Sequence, residues 1–317
     1  MRKWYVGVDG GGTKTAIAVS KADSVPVQTI IYPTCSYQSI GIAQSVALIQ
    51  KGILECLAAV DAKLEDCVGC CIGMPCYGEN SENDQIIVAE LQKALAPAPV
   101  YVVNDGEVGW AGSLACEEGI HVVSGTGSIA FGRGKDQQFA RCGGWVEFFG
   151  DEGSCYWIGR EAMGLFSKEA DGRIPRGALY HLVSKEMGLK EDYQFIDQVM
   201  ADIAPYRERV ADFQHYALKA AQEGDGAVIA LYEKAAEELV LMIGALKTKL
   251  RFSAEPISVS YSGGLFHAGE LVLKPLRDKV SMLRCELQTP KYSAIEGALM
   301  LAAEHFCADF LDRDIKK

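Results

Sequence analysis

The chain has 317 residues, with 31 Lys and Arg against 42 Asp and Glu and a formal charge of -11. A chain of this length predicts about two domains. The acidic balance, without a cluster of basic residues, excludes a nucleic-acid partner and an anionic membrane surface. We find no apolar run of membrane-spanning length and no secretory signal pattern, so we expect no membrane association and a cytoplasmic location.

Eleven cysteines fall mostly inside apolar segments, which is typical of reduced, buried thiols. Cys67 and Cys70 have the CxxC spacing of redox and zinc sites, within "CVGCCIGMPC". That run is continuously apolar, ends at Gly73 and Pro75, and has no second ligand pair elsewhere. It therefore predicts a buried central strand rather than a metal or redox site.

The first third of the chain predicts strands alternating with helices. Two β-rich runs, Trp4–Val8 and Thr15–Val19, are joined by glycines and indicate a hairpin. Periodicity and residue type then predict a helix, a strand, a helix and a strand, over Ile42–Val60, Cys67–Ile72, Gln85–Leu95 and Val100–Val103.

The arrangement of strand, glycine turn and strand recurs at Ile120–Ser124 and Ile129–Gly132, which suggests two related halves. A polar, helix-prone segment over Ser167–Gly224 reads as a helical insertion. The other predicted elements are the helix Ser154–Leu165, the long helix Ala227–Leu250, the strand Pro256–Tyr261 and the last helix Ser293–Phe310.

The stretch "VGVDGGGTKTAIAVS" invites comparison with a Walker phosphate loop. Thr13 separates Gly12 from Lys14, however, and a β-branched strand follows where a Walker loop needs a helix. The segment "GTGSIA", Gly125–Ala130, matches the Rossmann fingerprint but also lacks the following helix. Both readings fail on context.

We therefore predict that glycine turns between paired strands bind phosphate through backbone N–H groups. Their glycines are expected to take positive φ and to let the backbone approach the phosphate closely. Ordinary hairpins are the alternative, and a third turn, "SGG" at residues 262–264, weighs against it. Hydroxyl groups near the turns could add donors, from Thr13, Thr15, Ser124, Thr126 and Ser128.

Acidic residues stand beside these turns and at the end of a strand. Asp9 opens the first turn and suits Mg²⁺, with water as the intermediary. Asp105 follows "VYVVN". Its carboxylate could orient an acceptor hydroxyl and take the hydroxyl proton late in a phosphoryl transfer. Asp151 and Glu152 precede a helix, and Asp151 could instead favour that helix N-terminus.

Five ordered motifs, "GVDGGGTKT", "VVNDGEVGWAG", "VVSGTGSIAFG", "CGGWVEFFGDEGSCYWIGREA" and "VSYSGGLF", resemble the N-acetylglucosamine kinases of the BadF/BadG/BcrA/BcrD ATPase group. The resemblance implies an α/β protein with a two-lobed actin-like ATPase (ribonuclease H-like) fold, each lobe a mixed sheet flanked by helices and closing over ATP and a sugar. It places one lobe at residues 1–112, completed by a C-terminal helix at about 293–317. The other lobe spans 113–292, with the insertion at about 167–224.

The resemblance also implies an ATP-dependent, Mg²⁺-requiring kinase of an amino sugar such as N-acetylglucosamine, and we consider a homodimer as its assembly. Asp105 is then the catalytic base and Asp9 the metal anchor. The implied ATP-binding residues are Gly10, Gly11, Gly12, Thr13, Lys14, Thr15, Gly125, Thr126, Gly127, Gly263 and Gly264. The implied sugar-binding residues are Ser36, Asn104, Asp105, Gly143, Gly144, Trp145 and Asp151.

Two departures from the family pattern concern the sugar. Ser36 stands where an asparagine is usual, and Val146 where a glycine is common, so glucosamine, N-acetylmuramic acid or another hexose derivative stay open as substrates. Two other functions also stay open. One is an iron-sulfur activator of a radical dehydratase, for which Cys142 and Cys155 lie in the wrong sequence context. The other is a nucleotide switch without a sugar site.

Overall fold

The computed structural model describes residues 3–21 and 25–306. These residues form two compact units. The first comprises the chain up to Glu117 together with the residues from Thr289 onward, and the second is Glu118–Gln288. Each unit is built on one five-stranded sheet.

The strands are β1 (Trp4–Gly10), β2 (Lys14–Ser20), β3 (Gln28–Pro33), β4 (Cys67–Met74), β5 (Val100–Asn104), β6 (Gly119–Ser124), β7 (Ser128–Arg133), β8 (Phe139–Gly143), β9 (Ile257–Ser262) and β10 (Cys285–Leu287). The helices of the first unit are α1 (Tyr37–Ile40), α2 (Ile42–Ala58), α3 (Ser81–Ala94), α4 (Asp105–Leu114) and, near the end of the chain, α12 (Ala294–Phe306). Those of the second unit are α5 (Cys155–Ala170), α6 (Ala178–Glu186), α7 (Gln194–Gln198), α8 (Arg207–Asp212), α9 (Gln214–Gln222), α10 (Gly226–Lys249) and α11 (Glu270–Met282).

The two sheets share one topology. The first has the order β3-β2-β1-β4-β5 and the second β8-β7-β6-β9-β10. In each, the central strand pairs antiparallel with the next strand of its hairpin and parallel with the strand on its other side. The predicted repetition of strand, glycine turn and strand is therefore confirmed. Because the parallel strands run the same way, their carboxyl ends, where α/β proteins place their ligands, share one edge of each sheet.

Apolar residues of the two sheets form two separate cores. In the first unit, Cys67 and Cys70 are fully buried within β4 and pack with Val8 and Ile72. Residues 3–21 and 25–306 contain no group of three acidic, Cys or His side chains that could hold a metal ion. The prediction of a buried strand at the CxxC sequence is confirmed.

Several elements differ from the sequence expectations. The segment Ser167–Gly224 is helical as predicted, but β3, β8, β10, α4 and α11 have no counterpart in the sequence analysis. Helix α11 encloses Pro275, a residue that usually ends a helix. The last helix was predicted over Ser293–Phe310; α12 spans Ala294–Phe306, and residues 307–317 lie outside the described part of the chain. Among the helices described, none is long and apolar enough to cross a membrane.

Candidate functional site

The first glycine turn joins β1 to β2 and is held from its inner side. The Gly11 N–H donates to the Lys14 carbonyl at 2.8 Å. The Thr34 hydroxyl donates to the Gly11 carbonyl at 2.8 Å. A Cβ added to Gly12 would meet nothing within 4 Å, and Thr13 and Lys14 are exposed. The outer face of the turn is therefore open to a ligand.

Among the glycines of the first two turns, an added Cβ would come within 3.0 Å of a neighbouring atom only at Gly10 and Gly127, and none of these glycines has positive φ. Positive φ was expected there, and this expectation is wrong at Gly10, Gly11, Gly12, Gly125 and Gly127. A Cβ on Gly10 would instead lie 2.5 Å from the Sγ atom of a buried cysteine at position 35. On Gly127 it would lie 2.8 Å from a carboxylate oxygen of the aspartate at position 151. Close approach is thus the property that selects glycine at these two positions.

Two half-buried carboxylates stand at the carboxyl ends of parallel strands in the first unit. Asp9 lies near the end of β1, and Asp105 directly follows β5 as the first residue of α4. Burial raises the pKa of Asp9 to about 6, with Lys14 opposing the shift. Burial, followed by the negative charge of Asp9, raises the pKa of Asp105 to about 7. Asp105 is therefore poised to accept a proton near neutral pH.

Asn104 has structural bonds in addition to its predicted contact with a sugar. Its Oδ1 accepts the Gly106 N–H at 2.9 Å and so caps α4. Its Nδ2 donates to the Tyr77 carbonyl at 2.7 Å. An asparagine amide carries a second N–H, which leaves one donor for a ligand. Asn104 thus orients the start of α4, and with it Asp105.

Ser36 follows Cys35, a residue that the charges of Asp105 and Asp9 reach, but it presents little of its own side chain. The residue is 4% exposed, and its Oγ lies 4.0 Å from the Sγ of Cys76. Its N–H donates to the Thr34 hydroxyl at 3.0 Å, the same hydroxyl that holds the first glycine turn. The serine therefore shapes the chain beside the turn, and its hydroxyl is a weak candidate for a sugar contact.

The second glycine turn joins β6 to β7 and is bonded to the loop before α5. The Gly125 N–H donates to the Gly127 carbonyl at 2.9 Å. The Ser124 hydroxyl donates to the Gly153 carbonyl at 2.8 Å, and the Ser128 hydroxyl to the Glu152 carbonyl at 2.6 Å. These two predicted phosphate donors are therefore used within the protein, and Glu152 contributes its backbone to the turn.

The third glycine segment lies directly on the second turn. Gly263 has φ 111° and ψ 166°, and a Cβ there would be 2.2 Å from the Ser124 carbonyl oxygen. A Cβ on Gly125 would in turn be 3.7 Å from the Gly264 nitrogen. The sequence predicted both segments as ATP contacts, and the fold of the second unit brings them together.

The Asp151 side chain bonds to the second glycine turn and does not cap the helix that follows it. The residue is 3% exposed and has φ 58°, and its Oδ1 accepts the Ser128 N–H at 3.2 Å. The cap of α5 is Ser154, whose hydroxyl accepts the Trp157 N–H at 3.1 Å, so Asp151 does not cap this helix. Burial raises the pKa of Asp151, while the Ser128 N–H and the Arg207 guanidinium lower it.

Arg207 is the functional candidate that sequence reasoning missed. Its Nη2 donates to the Asp151 carboxylate, and its Nε lies 3.4 Å from the Glu147 carboxylate. Arg207 belongs to the predicted helical insertion and stands 56 residues after Asp151. No pattern in the sequence connects residues at that separation.

The remaining predicted sugar residues, Gly143, Gly144 and Trp145, lie at the end of β8 and in the loop that follows it. Gly143 and Gly144 have φ of 76° and 69°, and the Gly144 N–H donates to the Ser128 carbonyl at 2.9 Å. Trp145 and Val146 follow on the surface of the unit, 66% and 52% exposed. The glycines are thus tied to the second turn, whereas Trp145 is not buried against it.

The matched family model is that of the BadF/BadG/BcrA/BcrD ATPases, and it covers residues 6–302. The N-acetylmuramic acid/N-acetylglucosamine kinase of Clostridium acetobutylicum is 30% identical over 266 residues, 84% of this chain and 86% of that protein. The N-acetyl-D-glucosamine kinase of Dictyostelium discoideum is 26% identical over 82% of this chain and 84% of that protein.

A solved structure of a candidate N-acetylglucosamine kinase from Chromobacterium violaceum has a similar fold. It superposes with a TM-score of 0.72 at 26% identity, over 95% of this chain and 99% of that one. Together with the two mixed sheets flanked by helices, this likeness confirms the expected actin-like ATPase fold.

Proposed function

Because this chain belongs to the BadF/BadG/BcrA/BcrD ATPase family, we propose that it is an ATP-dependent kinase that phosphorylates a hydroxyl of an amino sugar. The observation that carries the proposal is the half-buried Asp105 carboxylate at the carboxyl edge of the first sheet, whose pKa is raised to about 7. The activities of the two kinases from Clostridium and Dictyostelium support it.

Asp105 acts on the acceptor hydroxyl of the sugar. Its carboxylate accepts the O–H hydrogen bond, orients the oxygen toward the γ-phosphorus, and takes the proton as the new P–O bond forms and the bond to ADP breaks. The capping bond of Asn104 to the Gly106 N–H, at 2.9 Å, fixes the first turn of α4 and thus the position of this carboxylate. The remaining N–H of Asn104 is available to a second sugar hydroxyl.

Asp9 is the proposed anchor for Mg²⁺. Asp9 and Asp105 are half-buried, and partial burial makes ionisation of both carboxylates unfavourable, with the charge of Asp9 adding to the effect at Asp105. A divalent cation would offset this penalty, which only Lys14 opposes at Asp9. Because the described residues contain no group of three acidic, Cys or His side chains that could hold a metal ion, Mg²⁺ would keep several waters, as it commonly does. When bound, it would supply positive charge to the phosphate oxygens.

The glycine turns are the proposed phosphate-binding segments. In the first unit the open face at Gly12, Thr13 and Lys14 offers backbone N–H groups and a cation. In the second unit Gly125 and Gly127 of the turn, together with the adjoining Gly263 and Gly264, offer backbone without Cβ atoms. Because the reaction consumes ATP, we also propose a cytoplasmic location.

N-acetylglucosamine is the proposed substrate, with N-acetylmuramic acid as the second candidate because the Clostridium kinase bears both names. The test is a coupled ADP-release assay over these sugars, N-acetylmannosamine, glucosamine and glucose. We expect Mg²⁺-dependent release of ADP with at least one N-acetylated sugar. ATP binding with no stimulation by any sugar would contradict the proposal and favour a nucleotide switch.

The base assignment is tested by Asp105→Asn, with Glu79→Gln as the matched control. Glu79 is an exposed carboxylate whose charge also reaches Asp105 and whose Oε2 accepts the Gln38 amide at 3.2 Å. We expect turnover to fall by roughly 10²-fold or more in Asp105→Asn, with ATP affinity kept, and to change little in the control. Near-normal turnover of Asp105→Asn would refute the assignment.

A further inference from the structure

One positively charged side chain of the helical insertion, that of Arg207, lies against the second glycine turn. Arg207 is the first residue of α8. A Cβ on Gly127 would lie 2.6 Å from its Nη2 and 2.8 Å from the Asp151 Oδ1, so both side chains cover this glycine. The same guanidinium reaches Glu147 through its Nε. Arg207 therefore joins α8, the loop after β8 and the turn.

The Asp151 carboxylate has an unusual position for a turn proposed to bind phosphate. It is almost fully buried, and its Oδ1 accepts a hydrogen bond from the N–H of Ser128, the first residue after the turn. A negative charge there would repel the phosphates of ATP, because Coulomb repulsion is strong where solvent is excluded. Arg207 supplies a positive charge in direct contact with this carboxylate.

We propose that Arg207 is a positioning residue: it holds the Asp151 side chain against the second glycine turn and neutralises the charge that this carboxylate would present to ATP. The inference rests on the proposed function, since it takes the turn as a phosphate-binding segment. The helical insertion is then part of the ATP site, through one side chain.

The test measures ATP affinity by titration calorimetry in the absence of sugar. The variants are Arg207→Met, Asp151→Asn and the double variant, and Arg209→Met is the matched control. Arg209 lies on the same helix, and its guanidinium donates to the Asp202 carbonyl at 2.6 Å. Thermal unfolding of each variant shows that it is folded before its affinity is compared.

We expect Arg207→Met to weaken ATP binding about tenfold at pH 8, because an unpaired carboxylate then faces the phosphates. The double variant is expected to bind within about threefold of the wild type, because its asparagine carries no charge and still accepts the Ser128 N–H. Arg209→Met should bind as the wild type does. Equal losses in Arg207→Met and the double variant, or no loss in either, would overturn the inference.

The pH dependence gives an independent readout. The groups that face Asp151 are Arg207, Glu147 and the Ser128 N–H; removing Arg207 raises the pKa of Asp151 further. The loss of ATP affinity in Arg207→Met relative to the wild type should shrink as the pH falls and Asp151 becomes neutral. A loss of affinity that stays constant from pH 8 to pH 5.5 would contradict the proposed role of the Asp151 charge. Wild-type protein that binds ATP but phosphorylates no sugar would contradict the proposed function and leave this test intact.

Discussion

Replacing Gly263 by alanine tests whether the third glycine segment must lie against the second turn. At φ 111° and ψ 166° the backbone occupies a region that is essentially restricted to glycine. The added Cβ would lie 2.2 Å from the Ser124 carbonyl oxygen and 2.9 Å from the Gly125 nitrogen. Both contacts are backbone atoms, so no side-chain rotation relieves them.

The expected loss in the free energy of unfolding is the sum of backbone strain at Gly263 and the steric clash of the added methyl group. Backbone strain of this kind costs about 1–3 kcal/mol. Forcing a methyl group into a filled space costs about 1–3 kcal/mol more. A loss of about 2–6 kcal/mol in the free energy of unfolding corresponds to a fall in Tm of about 4–24 °C for a unit of this size.

Two matched variants separate the contributions. Gly224 has φ 89° with nothing within 4 Å of a Cβ, so Gly224→Ala measures strain alone. Gly264 does not have positive φ, and a Cβ there would meet its nearest neighbour at 3.9 Å. Gly264→Ala should therefore introduce neither backbone strain nor a steric clash. Thermal unfolding should rank Gly263→Ala lowest, then Gly224→Ala, then Gly264→Ala. A Tm of Gly263→Ala equal to that of Gly264→Ala would show that Gly263 is required neither by φ nor by its contact with the second turn.

Two further predictions concern single side chains. Asn104→Ala should lower the free energy of unfolding by about 1–3 kcal/mol in urea denaturation, since it removes the cap of α4 and the bond to the Tyr77 carbonyl; an unchanged midpoint would contradict this. His121 lies between the Ser260 and Ser262 hydroxyls, 2.9 Å from each, and burial lowers its pKa to about 3. Because the unfolded imidazole takes up a proton near pH 6.5, stability from this group is lost as the pH falls below that value. An NMR titration should show His121 neutral at pH 5, and a midpoint near 6.5 would contradict the burial argument.

The elements that depend on residues close together in the sequence were mostly predicted. The two glycine hairpins, the buried strand at Cys67 and the long helix before β9 follow from periodicity and turn residues within short windows. Helix α11 was missed because Pro275 normally signals a helix end. Strand β10 has only three residues, too few for an alternating pattern to be recognised.

The positions of Asp9 and Asp105 in the fold were predicted, because each stands beside its own turn or strand end. The sequence could not show that Asp151 bonds to the Ser128 N–H, or that Arg207 covers Gly127, because these contacts join segments far apart in the chain. It also misjudged why Gly10 and Gly127 are glycines. Close packing against Cys35 and Asp151 depends on the tertiary fold, whereas turn preferences, which favour positive φ, are local.

Transfer of the γ-phosphoryl group from ATP to the sugar can be followed with γ-labelled ATP. Wild-type protein is incubated with Mg²⁺, labelled ATP and N-acetylglucosamine or N-acetylmuramic acid, and the products are separated by mass spectrometry. We expect the label to appear on the sugar as a phosphate ester, and Asp105→Asn to form this ester roughly 10²-fold more slowly. Label found only in inorganic phosphate, with every amino sugar unmodified, would contradict this expectation.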